Sequence, residues 1–180
     1  MKNIFFLLLL FFIIFPKSVV LANTPGSTPI PTVDYPLPYP GLLPDNPLYF
    51  LKMIRDQIVM FFISDPVKKS EFSLMQSDKR IAAARSLLSE HQASKDPLAL
   101  STLTKSTNYL FTAVGEYRSA AASGENVADL PSKLHDAILK HEAVIATLAT
   151  TPGLSGNATL TEEERRLADL EKTVSEFGKK

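Results

Sequence analysis

The chain has 180 residues, with 19 basic and 19 acidic side chains, and 45% of its residues are hydrophobic. The balanced charge gives no indication of a nucleic-acid-binding surface, and the hydrophobic content suffices for one folded domain. Because the chain contains no cysteine, disulfides, thiolate metal sites and thiol nucleophiles are excluded.

The N-terminus has the pattern of a secretory signal. Lys2 precedes an unbroken apolar run from Ile4 to Phe15, and small residues place a cleavage site after Ala22. The alternative is a retained membrane anchor, although a twelve-residue helix rises only about 18 Å against roughly 30 Å of hydrocarbon. Either interpretation predicts an extracytoplasmic protein (secreted, periplasmic or at the cell surface) that contacts a membrane only through an uncleaved N-terminal segment.

A proline-rich segment follows, in which Thr24–Pro47 holds 8 of the 13 prolines. Such a composition favours extended polyproline II, so we expect a stalk or wrapping arm rather than a groove ligand. Tyr35 and Tyr39 are expected to pack the second half of the arm onto the helices. The predicted organisation is a signal or anchor over 1–22, a linker over 23–43, a helical domain over 44–151, and a loop with an amphipathic helix over 152–180.

Five helices are predicted, and strand patterns are nearly absent. An Asx side chain followed by proline at the first helical position predicts three helix starts. They are Asn46-Pro47, Asp65-Pro66 and Asp96-Pro97. A fourth helix is expected from about Pro131 to Thr150, and Thr161 with Glu164 forms a capping box for a fifth.

Helices two to five each carry a single apolar stripe, as in Leu134, Ile138, His141, Ile145 and Leu148 of the fourth. This spacing is typical of helices packed side by side, and the short connections predict antiparallel neighbours. The fold class is therefore an all-α, antiparallel bundle of four to five helices. The fifth helix follows a Gly/Ser/Asn loop and is expected to be either a bundle member or an appendage.

The first helix differs, because 12 of the 16 residues from Leu48 to Ile63 are apolar. A helix that is apolar around most of its circumference favours a central core position. The alternative is a groove-filling or membrane-surface role, for which the exposed aromatic residues would be the interaction surface. Those candidates are Tyr49, Phe50, Phe61 and Phe62.

Residues Leu43–Lys52 read Leu-Pro-Asp-Asn-Pro-Leu-Tyr-Phe-Leu-Lys. This stretch resembles the opening signature of a bacterial extracytoplasmic helical domain family of unknown function. Asp65-Pro66, the basic Ala-rich segment Lys79–Ala84, Tyr109–Tyr117 and Leu134–Leu148 are similar to the segments that follow in that family. The resemblance implies a helical fold behind a signal peptide or membrane segment, and it brings no activity or catalytic residue.

Motifs for chemistry are missing from the sequence, so no catalytic, cofactor-binding or metal-binding residue is assigned and no cofactor is expected. His141 lies on the apolar stripe of the fourth helix, where a core histidine bonded to a neighbouring helix is the favoured interpretation. The alternative is a buried pH sensor or a metal ligand beside Glu142. His135, six residues away, points to a different face.

These patterns predict a non-catalytic module that binds an unidentified protein or cell-envelope partner and does not bind nucleic acid. The alternative function is an extracytoplasmic metal or envelope-stress sensor or chaperone. An enzyme is not expected, because the residue roles of a catalytic site cannot be assembled from this sequence.

Overall fold

The computed structural model describes residues 33–90 and 92–177, so the predicted signal over 1–22 and the linker up to residue 32 lie outside the described residues. Within these ranges the chain is helical and has no strands, and the helices pack as a bundle. The all-α bundle predicted from the sequence is confirmed. The helices are α1 (Tyr49–Phe62), α2 (Pro66–Ser89), α3 (Asp96–Ala122), α4 (Leu130–Ala149) and α5 (Ala158–Ser175), with a 3-10 turn over Ala93–Lys95.

At two of the predicted Asx–Pro starts, the Asx side chain accepts a hydrogen bond at or near the N-terminus of the helix. Asp65 Oδ1 accepts a hydrogen bond from Lys68 N at 3.1 Å, which makes Asp65 the N-cap of α2. Asn46 Oδ1 accepts from Leu48 N at 2.9 Å, but this closes a turn just before α1, which begins at Tyr49. The prediction is therefore confirmed for α2 and displaced by a few residues for α1.

The predicted caps of the other two helices were wrong. Asp96 is itself the first residue of α3 and makes no capping bond, because the 3-10 turn already leads the chain into the helix. Helix α5 begins at Ala158, where Asn157 Oδ1 accepts from Thr159 N at 2.9 Å. Since this earlier Asx cap starts the helix, Thr161 lies within its first turn rather than ahead of it.

Helices α2 to α5 share one apolar core, and α2 with α3 form its most extensive pair. Each helix contributes one stripe of large side chains, as the apolar spacing predicted. The largest fully buried apolar residues are Ile81, Leu87, Leu103, Leu110, Leu134, Ile138, Ile145, Leu160 and Leu167.

A seam of small residues joins α2 to α3. Ser70 Oγ donates to Ala113 O at 2.7 Å, and Ser77 Oγ donates to Ser106 O at 2.7 Å. The partner number falls as the α2 number rises, so the two helices are antiparallel. Because a serine hydroxyl on one helix reaches the backbone of the other, the axes must approach closely, and only small side chains fit between them.

The C-terminal helix α5 is a member of the bundle and not an appendage. Its Leu160 and Leu167 are buried in the common core. At its edge, Arg166 Nη2 donates to Asn108 Oδ1 of α3 at 2.7 Å. The glycine-containing loop before α5 therefore turns the chain back onto the other helices.

Helix α1 lies on the outside of the bundle, so the central core position favoured by its apolar content is wrong. Only Tyr49 and Asp56 of its fourteen residues are buried. None of the helices in the described part of the chain is sufficiently long and apolar to cross a membrane.

The end of the proline-rich arm is part of the fold. Tyr35, Leu37 and Leu43 pack against the apolar core, whereas Tyr39 is 84% exposed. The expected packing of the arm thus holds for Tyr35 and fails for Tyr39. From residue 33 onward, the segment packs on the bundle as a wrapping arm, which is one of the two forms that its composition predicted, and not as a stalk.

Candidate functional site

Exposed apolar residues are concentrated on α1. The described chain has thirteen large hydrophobic residues that are exposed, and eight of them belong to this helix. At about 100° per residue, six of these occupy a continuous arc of about 120°. This arc, called here the outer face of α1, consists of Phe50, Leu51, Ile54, Ile58, Phe61 and Phe62.

The size of the outer face sets it apart from ordinary surface. Phe50, Phe61 and Phe62 are 50%, 82% and 75% exposed, so these three rings present roughly 400 Å² when a full aromatic residue is taken as about 200 Å². The aliphatic members add to this area. The three rings alone therefore reach the range of about 300–600 Å² that the largest apolar patch on a typical monomer covers, and such a patch is often functional.

Two of the four polar side chains of α1, Lys52 and Asp56, point toward the arm and the bundle, whereas Arg55 and Gln57 are exposed. Lys52 Nζ donates to Pro40 O at 2.6 Å and to Leu42 O at 3.3 Å, which ties α1 to the arm. Burial lowers the pKa of the Lys52 ammonium, and the nearby Arg80 charge acts in the same direction while Asp56 opposes it. The helix is therefore inverted relative to an ordinary surface helix, which buries its apolar side.

Tyr49 belongs to this inner side, so its predicted place on the interaction surface is wrong. Its side chain is only 9% exposed, and burial raises the pKa of its hydroxyl, with the Arg80 charge opposing the shift. Tyr49 falls on the same arc of the helix as Lys52 and Asp56, which is the arc that faces the bundle. Phe50, Phe61 and Phe62 remain as members of the exposed surface.

Asp56 is the buried acid of α1. Its Oδ1 accepts from Arg55 Nε at 3.1 Å and from Arg55 Nη2 at 2.7 Å. Its Oδ2 is buried and has no hydrogen-bond partner among the described residues. An incompletely paired buried carboxylate weakens the attachment of a helix rather than strengthening it.

Beneath α1 lies a polar platform formed by Gln76, Arg80 and Tyr109. The Arg80 guanidinium stacks over the Tyr109 ring at 4.1 Å, and Arg80 Nη1 donates to Gln76 Oε1 at 2.7 Å. Arg80 is buried although it carries a charge. This platform favours polar neighbours, which explains why α1 turns its charged side inward.

A second polar cluster lies inside the bundle around His141. His141 Nε2 and Asp78 Oδ1 are 2.9 Å apart, and both side chains are buried. Tyr35 Oη donates to Asp78 Oδ2 at 2.7 Å, and His141 Nδ1 lies 3.4 Å from Ser106 Oγ. The cluster therefore joins the arm, α2, α3 and α4, and the predicted core histidine is found bonded to neighbouring helices.

Ser106, His141 and Asp78 have the connectivity of a nucleophile, a base and an orienting acid. The Ser106 hydroxyl, however, donates to Ser77 O at 2.9 Å and is fully buried in the α2–α3 seam. A substrate carbonyl reaches Ser106 Oγ only if these two helices separate. The arrangement therefore acts as a structural hydrogen-bond network in this conformation.

The remaining histidine of α4 points elsewhere. His135 Nδ1 lies 3.8 Å from Glu171 Oε1 at the surface, and burial together with the Glu171 charge raises the pKa of Glu142. Within residues 33–90 and 92–177, no group of three or more histidine or acidic side chains is placed to hold a metal ion. His135 and His141 do lie on different faces, as their spacing predicted.

The sequence-based prediction missed the seam and the residues that join His141 to it. A signal was available, because small residues recur every seventh position on both helices. They are Ser70, Ser77 and Ala84 on α2, and Ala99, Ser106, Ala113 and Ala120 on α3. The prediction was based on the larger apolar residues, which form the adjacent stripe.

Comparison with known protein families gives one match. A family described as Domain of unknown function (DUF5667) matches residues 41–176, which is most of the chain. The chain belongs to the DUF5667 family. Comparisons with curated proteins and with solved structures found no match.

The DUF5667 match includes the stretch Leu43–Lys52, which attaches α1 to the rest of the domain. Asp45 Oδ2 accepts from Lys95 Nζ at 2.8 Å, and this bond lowers the pKa of the Asp45 carboxyl. Together with Lys52 and Tyr49, this contact fixes where α1 begins. The match also includes α5, in agreement with its place in the DUF5667 bundle.

Proposed function

We propose that this DUF5667 chain is a non-catalytic extracytoplasmic binding module whose binding surface is the outer face of α1. The observation that carries the proposal is the inverted orientation of α1. Lys52 and Asp56 face the bundle, while Phe61 and Phe62 are 82% and 75% exposed. A partner in the cell envelope, either a protein or another envelope component, would cover these rings.

The energetic argument is the cost of leaving the outer face in water. Covering roughly 400 Å² of aromatic surface contributes about 10 kcal/mol at 25 cal/mol/Å², before the costs of association are subtracted. No described segment of the chain lies over Phe61 or Phe62. Such a surface supports binding, because its burial supplies the main favourable term in association.

The non-catalytic part of the proposal rests on the burial of the only nucleophile–histidine–acid arrangement found among the described residues. Ser106, His141 and Asp78 all lie within the core. The cleft between the arm and α1 is lined by Tyr39, Leu42, Leu51, Lys52 and Arg55 among others. A positioned base next to a nucleophile is not among these side chains.

The extracytoplasmic part rests on the N-terminal pattern of Lys2, the apolar run Ile4–Phe15 and Ala22. Fractionation of the host with sequencing of the mature N-terminus tests it. A soluble exported chain that begins at Asn23 supports cleavage, and retention of Met1 in the membrane fraction supports an anchor. Recovery of the full-length chain in the cytoplasmic fraction would refute export.

Photo-cross-linking tests the binding surface. Benzoylphenylalanine at Phe61 is expected to form adducts in the native envelope, whereas the same group at Phe111 is not. Phe111 is a matched control because it is a 40% exposed phenylalanine on α3, with its ring beneath Arg166 of α5. Equal adducts at both positions, or none at either, would refute the assignment of the surface to α1.

The alternative function, a metal or envelope-stress sensor or chaperone, stays in second place. Both ring nitrogens of His141 face protein groups, Asp78 and Ser106. A metal ion bound there would have to replace the contact with Asp78. If zinc or copper raised the melting temperature and His141→Ala abolished that effect, a metal sensor would become the favoured function in place of the binding module.

A further inference from the structure

We propose that the outer face of α1 seats the domain on a lipid bilayer bearing anionic headgroups, with α1 lying in the membrane plane. This inference rests on the proposed function and names the class of its partner. It differs from a membrane contact made by the N-terminal apolar run, because it assigns the contact to the folded domain itself.

The geometry of α1 is that of an interfacial helix. Its fourteen residues form a rod about 21 Å long, and its apolar arc of about 120° lies between Arg55 on one border and Gln57 on the other. Helices of this kind bury their apolar side about 5–10 Å deep at the boundary between headgroups and acyl chains. Lys52 and Asp56 lie on the opposite side, against the bundle, so they stay out of the hydrocarbon.

A second copy of the chain is a poorer occupant. The outer face is convex, and two convex helices touch along a line. The three rings of the outer face present roughly 400 Å² of accessible surface, whereas a stable protein interface buries about 800 Å² on each partner. A bilayer deforms around a convex helix and covers the whole arc.

The charges near α1 favour anionic headgroups. Between residues 49 and 70 there are four basic side chains, at Lys52, Arg55, Lys68 and Lys69, and two acidic ones. Of the two acids, Asp56 is buried and bonded to Arg55, and Asp65 is held at the N-cap of α2. Lys52 faces the arm and the bundle, so the positive charge beside the outer face is carried by Arg55, Lys68 and Lys69. The segment has a net charge of +2, four basic minus two acidic side chains, which attracts anionic lipid within about 8 Å at physiological salt.

An N-terminal run that is retained in a membrane would place α1 within reach of that membrane. The apolar run ends at Phe15, and residues 16–32 connect it to the described fold. Seventeen residues span at most about 60 Å when fully extended. If the apolar run is held in a bilayer, residues 16–32 therefore keep α1 near the surface of that bilayer. The same connection is long enough for the apolar run to fold back onto α1, and the experiment below distinguishes these two outcomes.

The absence of cysteine from the chain makes the test direct. The full chain is labelled with the environment-sensitive fluorophore NBD at Phe61→Cys or, as the matched control, at Phe111→Cys. Each is mixed with vesicles of phosphatidylcholine alone or with phosphatidylglycerol, with and without brominated acyl chains. Helical circular dichroism confirms that both labelled proteins are folded. We expect a blue shift and a loss of emission by bromine quenching at position 61 in anionic vesicles, and neither change at position 111.

Each other outcome overturns the inference or part of it. An unchanged label at Phe61→Cys, or equal quenching at both positions, overturns the seating of α1 in the bilayer. If the emission of the label at Phe61→Cys is blue-shifted even without lipid and is not quenched by brominated lipid, the N-terminal run or a second copy of the chain covers the outer face. Formation of a disulfide between two unlabelled Phe61→Cys chains then identifies the second copy. Equal quenching in neutral vesicles removes the requirement for anionic headgroups.

The failure of this inference can be separated from that of the proposed function. If benzoylphenylalanine at Phe61 captures a protein while the fluorophore at the same position stays unquenched, the bilayer is wrong and the binding module stands. If position 61 gives neither an adduct nor quenching, both proposals fail.

Discussion

Replacing Asp78 by alanine tests whether the buried cluster holds the arm and three helices together. The carboxylate accepts from Tyr35 Oη at 2.7 Å and pairs with His141 Nε2 at 2.9 Å. Its removal leaves His141 without its partner in a fully buried position. A buried donor left without its acceptor costs about 1–3 kcal/mol, so removing the acceptor shared by His141 and Tyr35 costs about 2–6 kcal/mol, a large share of the stability of an ordinary domain.

Urea unfolding followed by circular dichroism measures this cost. We expect Asp78→Ala to lower the free energy of unfolding by about 2–6 kcal/mol with an unchanged m-value. The melting temperature should fall by about 10 °C or more. A loss below about 1 kcal/mol would refute the conclusion that Asp78 accepts hydrogen bonds from both His141 and Tyr35.

A double variant separates pairing from packing. Asp78→Leu with His141→Leu replaces both polar groups by apolar ones, so neither of the two is left without its partner. Apolar replacements of a buried pair are often neutral, and we expect the double variant to be within about 2 kcal/mol of the native chain. If the double variant is less stable than Asp78→Ala, the two polar groups contribute to the free energy of unfolding beyond satisfying each other's hydrogen bonds.

Four further predictions concern individual side chains. Ser73→Ala should raise the free energy of unfolding by about 1 kcal/mol, because Ser73 Oγ is buried with no hydrogen-bond partner in the described structure; a loss of stability in urea unfolding would show that the hydroxyl is paired. Ala113→Leu should lower the free energy of unfolding by about 1–3 kcal/mol, since the α2–α3 seam has no room for a larger residue. An unchanged midpoint of urea unfolding would contradict the close approach of the two helices. Burial and the Asp78 charge raise the pKa of the Tyr35 hydroxyl far above its usual value of 10.0. The stability supplied by protonated Tyr35 is therefore fully present below about pH 10 and progressively lost above it. We expect the difference in unfolding free energy between the native chain and Tyr35→Phe to shrink as the pH rises from about 9 to about 11. A difference that stays constant over this range would refute the raised pKa. Finally, the double variant Phe61→Ser with Phe62→Ser should change the free energy of unfolding by less than about 1 kcal/mol, because exposed side chains contribute little to folding. A melting temperature far below that of the native chain would show that these rings belong to the core.

The bundle could be predicted from the sequence because its determinants are local. The stripe of Leu134, Ile138 and Ile145 is set by helical periodicity, and the Asp65 cap is set by residues three apart. Helix α5 was harder to place, since the loop before it gives no indication of where the following apolar stripe is buried. Its membership of the core depends on contacts between residues far apart in the chain, such as Arg166 with Asn108.

The candidate site was only partly predictable for a related reason. The apolar content of α1 indicated burial, and a rule based on content alone places such a helix in the core. What decides its position is the partner surface, and nothing in α1 itself shows that Arg80 and Tyr109 form a polar platform beneath it. Tyr49 was assigned to the exposed surface because nothing in α1 shows that the platform covers it, whereas Phe61 and Phe62 lie on the arc that the platform leaves exposed.

The platform also explains why α1 does not rotate to bury its apolar side. A half-turn would bring Phe50 and Ile54 onto the Arg80 guanidinium and would expose Lys52 to water. Arg80 would then lose polar surroundings in a buried position, and the large cost of transferring a charged group into an apolar environment opposes the gain from burying the apolar side chains. The sequence of α2 thus determines which face of α1 is exposed. The outer face is therefore a consequence of how the bundle is built, and a surface maintained in this way is available to a partner without any rearrangement of the core.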